Sequence, residues 1–217
     1  MSNLNKINIL LVDDHKLLRD GLRNIIEKKS NMQIIGEASD GREAIKIASK
    51  LEPNVIVMDV AMPNLNGIEA AKQIHKNNPE VKIIGLSMHS GKQFIQGMFK
   101  AGAFGYLLKD GDGDELITAI SCVMENKRYL SKDINQDYLT LIKKGEVLEK
   151  AELSSREKEV LQLIAEGKSS KDIGEILFLS PKTIDVHRNN IMKKIDLHSI
   201  PELTKYAIQK GLTTLDF

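Results

Sequence analysis

Five short aliphatic runs constrain what this chain can fold into: "INILLV" (7–12), "MQIIGE" (32–37), "VIVM" (55–58), "KIIGLS" (82–87) and "FGYLLK" (104–109). None alternates apolar with polar residues, so none suits a strand with one face in water. Runs of this kind belong in a parallel sheet covered by helices on both faces. Helical patterns fill the intervals, near 16–29, 41–50, 66–77, 91–101 and 112–126, and Asp40-Gly41 is a turn signal before the second of them. The alternation predicts an α/β fold with a doubly wound, five-stranded parallel sheet over residues 1–124.

The strand signal then stops. Residues 125–150 are polar and charged with scattered apolar positions, and read as a linker. From 151 to 217 every pattern is helical. Ser154-x-x-Glu157 is a capping box and Gly167 a stop; Ser180-Pro181 starts a helix running to about 195; Ser199-x-x-Glu202 opens a last one, ended by Gly211. The second domain is therefore expected to be smaller, all-α and built of four helices.

Acids at the strand ends carry the chemistry. In an open α/β sheet, ligands sit at the carboxyl ends of the parallel strands. The first run is followed by Asp13-Asp14, the third by Asp59, the fourth ends in Ser87 and the fifth in Lys109. Three carboxylates close together invite a cation, and Mg²⁺ prefers oxygen ligands together with water and phosphate oxygens. A carboxylate beside such a metal can attack phosphorus and become an aspartyl phosphate, while a hydroxyl and an ammonium hold the phosphoryl oxygens. Pro63 and Asn66-Gly67 turn the chain away from Asp59 into the next helix. Taken singly, Asp13-Asp14 also fits a helix cap and Tyr106 ordinary packing.

On these residues the chain resembles a known family. "ILLVDDH", "VIVMDVAMPNLNG", "GLSMHS" and "AGAFGYLLKD" resemble the receiver domain of two-component response regulators, with a CheY-like fold. The resemblance implies that Asp59 is the phosphoacceptor, that Asp13, Asp14 and the backbone carbonyl of Ala61 help bind Mg²⁺, and that Ser87 and Lys109 contact the phosphoryl group. Ser87 and Tyr106 would form the switch. Asp110 stands where many receivers carry proline. Ala61 and His89 occupy positions that tune loss of the phosphoryl group; Ala61 has no polar side chain to position an attacking water, so modest self-dephosphorylation is expected.

"DIGEILFLSPKTIDVHRNNIMKKIDL" (172–197) reads as helix, turn, helix. Ile184, His187, Ile191 and Ile195 fall on one face, and Lys182, Asp185, Val186, Asn189 and Lys193 on the other. Lys182, Arg188, Lys193 and Lys194 make a local positive stripe against one acid, in a chain whose 31 basic and 30 acidic residues nearly cancel. Such a helix suits the major groove, although charge alone fits a plain amphipathic surface helix equally well. The segment from 151 to 213 resembles the LuxR-type helix-turn-helix of NarL/FixJ regulators. The resemblance implies Asp185, Val186 and Asn189 as base-reading candidates and Lys182, Thr183, Arg188, Lys193 and Lys194 as phosphate candidates. It departs at Gly174, where alanine is usual; glycine inside a helix costs about 1 kcal/mol.

The implied function is a cytoplasmic, phosphorylation-controlled DNA-binding regulator. A sensor histidine kinase, double-stranded DNA and a second copy of the chain are the expected partners, with helix 200–210 a candidate dimer contact. The one cysteine, Cys122, allows neither an internal disulfide nor, with the scattered histidines, a zinc site; no apolar run is long enough for a signal peptide or a membrane span. Two rivals remain. A phosphohydrolase of the haloacid dehalogenase kind needs Asp-x-Asp, and here the sequence is Asp59-Val60-Ala61. A phosphorylation-independent DNA-binding or interaction module would leave the acidic pocket vestigial.

Overall fold

In the computed structural model, which describes residues 6–134, 153–195 and 197–214, the aliphatic runs form strands β1 (Ile7–Val12), β2 (Met32–Ala38), β3 (Val55–Asp59), β4 (Lys82–Ser87) and β5 (Gly105–Leu108). Between and after them run α1 (Lys16–Ile26), α2 (Gly41–Leu51), α3 (Gly67–Asn77), α4 (Lys92–Lys100) and α5 (Gly113–Met124). A sixth strand, β6 (Tyr129–Leu130), follows. The sheet is parallel throughout, in the order β2-β1-β3-β4-β5-β6.

Burial on both faces explains the unbroken apolar runs. Ile9, Leu11, Val55, Val57, Ile84, Leu86 and Leu107 point to the face covered by α1 and α5, where Leu116, Ala119 and Ile120 meet them. The residues in alternate register, among them Leu10, Ile56, Met58, Ile83 and Tyr106, are buried too. On that side α2 packs on α3 and α3 on α4. Strand order reverses direction of growth between β1 and β3, and the crevice at their carboxyl ends is where such sheets place a ligand.

The sixth strand departs from the five expected. It lies within the segment read as a linker, because two residues, Tyr129-Leu130, carry no legible period. What makes them a strand is Glu115, buried in the first turn of α5. Its carboxylate accepts from the Tyr129 hydroxyl (3.3 Å), the Ser131 hydroxyl (3.0 Å) and the Lys132 N–H (2.9 Å), while Ser131 N–H donates to the Tyr106 carbonyl at 2.9 Å. The rest of that segment, 135–150, lies outside the described residues.

The chain divides into two compact units. The second contains α6 (Ser155–Ala165), α7 (Ser170–Leu177), α8 (Pro181–Ile195) and α9 (Ile200–Gln209). Ser154 and Glu157 form the expected capping box, and Ser169 with Asp172 forms another. Ser180 accepts from Thr183 N–H (3.1 Å) ahead of Pro181, and Ser199 accepts from Glu202 N–H. Gly167 (φ 77°) and Gly211 (φ 69°) end α6 and α9 in the left-handed region, as the stops predict. Val160, Leu161, Leu163, Ile173, Leu177, Ile184, Ile191, Leu203 and Ala207 make a wholly aliphatic core.

Gly174 has a structural reason. A Cβ there would lie 2.6 Å from the Leu179 carbonyl oxygen, and Leu179 N–H donates back to the Gly174 carbonyl at 2.9 Å. The glycine admits the turn against the helix, which offsets its cost in helix propensity.

Glu115→Ala is expected to lower the stability of the first unit by about 2–3 kcal/mol, since it strands three donors. Urea unfolding would read the loss, and amide hydrogen exchange would show it concentrated at residues 129–132.

Candidate functional site

The acidic pocket is assembled by three strand ends. Asp59 is the last residue of β3 and Asp13 follows β1 directly; both are buried. Asp14 is more exposed. Lys109, just past β5, reaches between the two buried acids: its Nζ is 2.8 Å from Asp59 Oδ2 and 2.8 Å from Asp13 Oδ2. Its backbone N–H donates to the Ser87 carbonyl at 2.9 Å, so the β4–β5 register places the lysine and the serine on one rim.

Asp59 is aimed by its own backbone surroundings. Ala61 N–H donates to its Oδ1 at 3.1 Å. Asn66 is the N-cap of α3, accepting from Glu69 N–H at 3.0 Å, and Gly67 N–H donates to the Val60 carbonyl at 2.9 Å. A Cβ on Gly67 would stand 2.0 Å from the Asp59 carbonyl oxygen. The Asn-Gly pair therefore does more than turn the chain: only a residue without a side chain lets α3 start against the end of β3.

The charges are unbalanced, with three carboxylates around one ammonium. Burial, opposed by Lys109 and reinforced by Asp13, pushes the Asp59 carboxyl up from 3.8 to about 6. Burial alone would lower the Lys109 ammonium, but Asp59 and Asp13 outweigh it and leave its pKa raised. Asp13, Asp14, His15 and Asp59 each offer one ligand atom, all within 4.8 Å of one another. Three carboxylate oxygens with a net negative charge fit a hard divalent cation.

Two residues at this rim were not singled out from the sequence. His15 Nδ1 lies 2.9 Å from Asp14 Oδ1 and 3.2 Å from Asp13 Oδ1; its adjacency to the two acids was the available signal. Arg19 braces the loop: its Nη1 donates to the Asp13 carbonyl at 2.6 Å and its Nε to Glu37 at 2.9 Å. No sequence signal points to that contact, which closes across the β1–α1 loop and the end of β2.

Ser87 and Tyr106 converge on one loop. Ser87 is buried, and its hydroxyl accepts from His89 N–H at 3.1 Å. The Tyr106 ring is fully buried, and its hydroxyl donates to the His89 carbonyl at 2.6 Å. The His89 imidazole stacks on Phe94 of α4, with ring centroids 4.7 Å apart. Ser87 and Tyr106 thus grip the two sides of one peptide residue in the β4–α4 loop.

In the second unit α8 presents the expected two faces. Ile184 and Ile191 are buried, His187 and Ile195 half-buried. Val186 is 52% exposed, and Lys182, Asn189, Lys193 and Lys194 are exposed. Not all the polar side chains are free. Lys194 Nζ is 2.9 Å from Glu157 Oε2, so this lysine ties the end of α8 to the cap of α6. The Thr183 hydroxyl is 2.8 Å from that of Ser180. Asp185 Oδ1 accepts from the Ser170 hydroxyl at 2.8 Å and lies 3.1 Å from Arg188 Nη2.

Comparison with known proteins places both halves. Residues 9–121 match the response regulator receiver domain, and residues 151–207 match the bacterial regulatory proteins of the luxR family. The chain belongs to the NarL/FixJ response regulators. Among relatives of this family, it is 38% identical over 208 residues to the response regulator UvrY of Escherichia coli, covering 95% of each chain. It is 38% identical over 208 residues to the transcriptional regulatory protein LiaR of Bacillus subtilis, covering 95% of this chain and 99% of LiaR. Among solved structures, the RcsB response regulator of Salmonella typhimurium aligns with a TM-score of 0.65 at 27% identity, over 95% of this chain and 98% of that one. An RcsB–DNA complex aligns with a TM-score of 0.57 at 27% identity, over 95% and 99%. As a member of this family the chain is a two-component regulator joining a receiver domain to a DNA-binding domain. Among the described residues no helix is long and apolar enough to cross a membrane.

Two outcomes follow from the pocket geometry. Gly67→Ala is expected to cost more than about 2 kcal/mol, because the new Cβ collides with the Asp59 backbone oxygen; urea unfolding reads the loss. Asp59 has a folded-state pKa above its unfolded one, so its contribution to stability is full below about pH 4 and is lost as pH rises through about 6. Asp59→Asn removes that loss. Its unfolding midpoint is expected to match the wild type near pH 4 and to exceed it by about 1–3 kcal/mol at pH 7 in metal-free buffer.

Proposed function

We propose that this is a cytoplasmic response regulator in which Asp59 accepts a phosphoryl group from a sensor histidine kinase and thereby controls binding of the second unit to DNA. The observation that carries the reading is the buried Asp59 carboxylate at the end of β3, with one oxygen 2.8 Å from Lys109 and two further acids beside it. An Asp59 oxygen attacks phosphorus, the bond from phosphorus to the donor's imidazole nitrogen breaks, and the imidazole leaves. Asp13, Asp14, Asp59 and the Ala61 carbonyl are the residues that would hold Mg²⁺, whose charge neutralises the transferring phosphoryl oxygens.

Lys109 then exchanges its ion pair with the Asp59 carboxylate for one with the new phosphoryl oxygens, and the Ser87 hydroxyl turns toward them. That movement loosens Ser87 from the His89 N–H, and Tyr106 follows the loop through its bond to the His89 carbonyl. The face made by α4, β5 and α5 is repacked, which is the bistable change that regulation requires. In the second unit α8 enters the major groove, with Lys182 and Lys193 on phosphates and Val186 and Asn189 toward base edges. Two copies on paired half-sites, in contact through α9, complete the assembly.

Intact-mass analysis after incubation with acetyl phosphate and Mg²⁺ tests the reading. The wild type is expected to gain one phosphoryl group and to hold it for minutes or longer, as Ala61 offers no polar group to position a water. Asp59→Asn is expected to gain none. A gain in both removes Asp59 from this role; a gain in neither means that small donors fail here or that the pocket is vestigial. Equal DNA affinity of the two proteins in the presence of the phosphodonor favours the phosphorylation-independent alternative instead.

A further inference from the structure

Asp185 is an odd residue for a surface meant to meet phosphates. It is the only acid between positions 182 and 194, on the face of α8 that carries Lys182 and Asn189. A carboxylate there repels every DNA sequence alike, so it lowers affinity unless a base supplies a donor to it. Two donors from two helices converge on one of its oxygens. The Ser170 hydroxyl of α7 donates to Oδ1 at 2.8 Å, and Arg188 Nη2 lies 3.1 Å from the same atom. No bond to Oδ2 is present among the described residues.

Stability does not account for this arrangement. Arg188 and Asp185 are 36% and 46% exposed, and an ion pair that open to water contributes about 0–1 kcal/mol. The hydroxyl adds a weak link between α7 and α8, whose packing already rests on Ile173, Leu177, Ile184 and Ile191. What the contacts do is bias orientation: they draw the Arg188 guanidinium toward Asp185 on the polar face of the helix before any ligand arrives. Asp185 is turned so that Oδ1 is occupied and Oδ2 left to accept.

From this geometry we infer that Ser170, Asp185 and Arg188 act as one unit that reads a single G·C base pair. Arg188 donates to the guanine edge, Asp185 Oδ2 accepts from the cytosine amino group, and Ser170 is a positioning residue. The complementarity is chemical: guanine offers two acceptors in the major groove and cytosine one donor, while an A·T pair presents its donor and acceptors in a different order. Asp185 thereby acts as a filter. It costs affinity on all DNA and recovers it only where a cytosine amine faces it. This changes the parts given to two residues by family resemblance, since Arg188 becomes a base reader and Asp185 reads jointly with it. The inference rests on the reading of α8 as the helix that enters DNA.

The test is selection from a random-sequence duplex library with the full chain, acetyl phosphate and Mg²⁺, using wild type, Asp185→Asn, Ser170→Ala, Arg188→Ala and Lys182→Ala. The wild type is expected to enrich a motif with a fixed G·C pair in each half-site. Asp185→Asn and Arg188→Ala are expected to relax preference at that pair by about 5-fold or more, the discrimination one bidentate contact gives. Ser170→Ala relaxes the same pair by less. Asp185→Asn is also expected to bind unrelated DNA about 2-fold or more tightly than the wild type, because a repelling charge is gone. Lys182→Ala weakens all sequences evenly and lowers the salt dependence. Unchanged preference at every position in Asp185→Asn overturns the inference, as does relaxation at a different pair from that affected by Arg188→Ala. If Asp185→Asn loses its fold by circular dichroism, the Ser170→Ala and Arg188→Ala arms decide by whether they share one position. Failure of the wild type to enrich any motif overturns the DNA-binding reading along with it.

Discussion

The acid cluster at the carboxyl edge of the sheet depends on one ammonium group. Lys109 stands 2.8 Å from a carboxylate oxygen of each buried acid, Asp13 and Asp59. Without it, two carboxylates would be forced together out of water, which a fold avoids by neutralising or expelling one of them. With it, the cluster stays one charge short of balance even before Asp14 is counted. Buried ion pairs are weak sources of stability, since desolvation consumes most of the attraction. The arrangement is better understood as a site short of positive charge, which a hard divalent cation fits.

The second unit solves a different problem with different means. Among the described residues it has four short helices around an aliphatic core. Each helix begins at a serine, Ser154, Ser169, Ser180 or Ser199, whose oxygen takes an N–H three residues on. A cap of this kind contributes about 1 kcal/mol, which matters in a domain this small. The caps also fix where each helix starts, and so which residues of α8 fall on its outer face.

Much of this was legible in the sequence, and the reasons differ by element. The five main strands announced themselves because burial on both faces forbids polar alternation, and helix starts because a serine stands three residues before an acid at Ser154 and Ser199 and directly before proline at Ser180. Asp59, Asp13, Ser87 and Lys109 were legible as strand-end residues, since strand order then dictates that they meet. β6 was not legible: its two residues become a strand through Glu115, more than ten positions earlier, and no local pattern encodes that. Arg19 escaped for the same reason. Lys194 has a second contact that composition does not show. It belongs to the positive stripe and also pairs with Glu157, a contact that only packing of α8 on α6 reveals.

The anchor of Tyr106 has a consequence for how such a loop can vary. Tyr106 holds residue 89 by its main-chain carbonyl, and Ser87 holds it by its main-chain N–H. Neither bond involves the imidazole, which is left to stack on Phe94. Grip and side-chain chemistry are thus separable at this position. A different residue 89 could reshape the approach to the pocket while the same two main-chain bonds went on holding the loop.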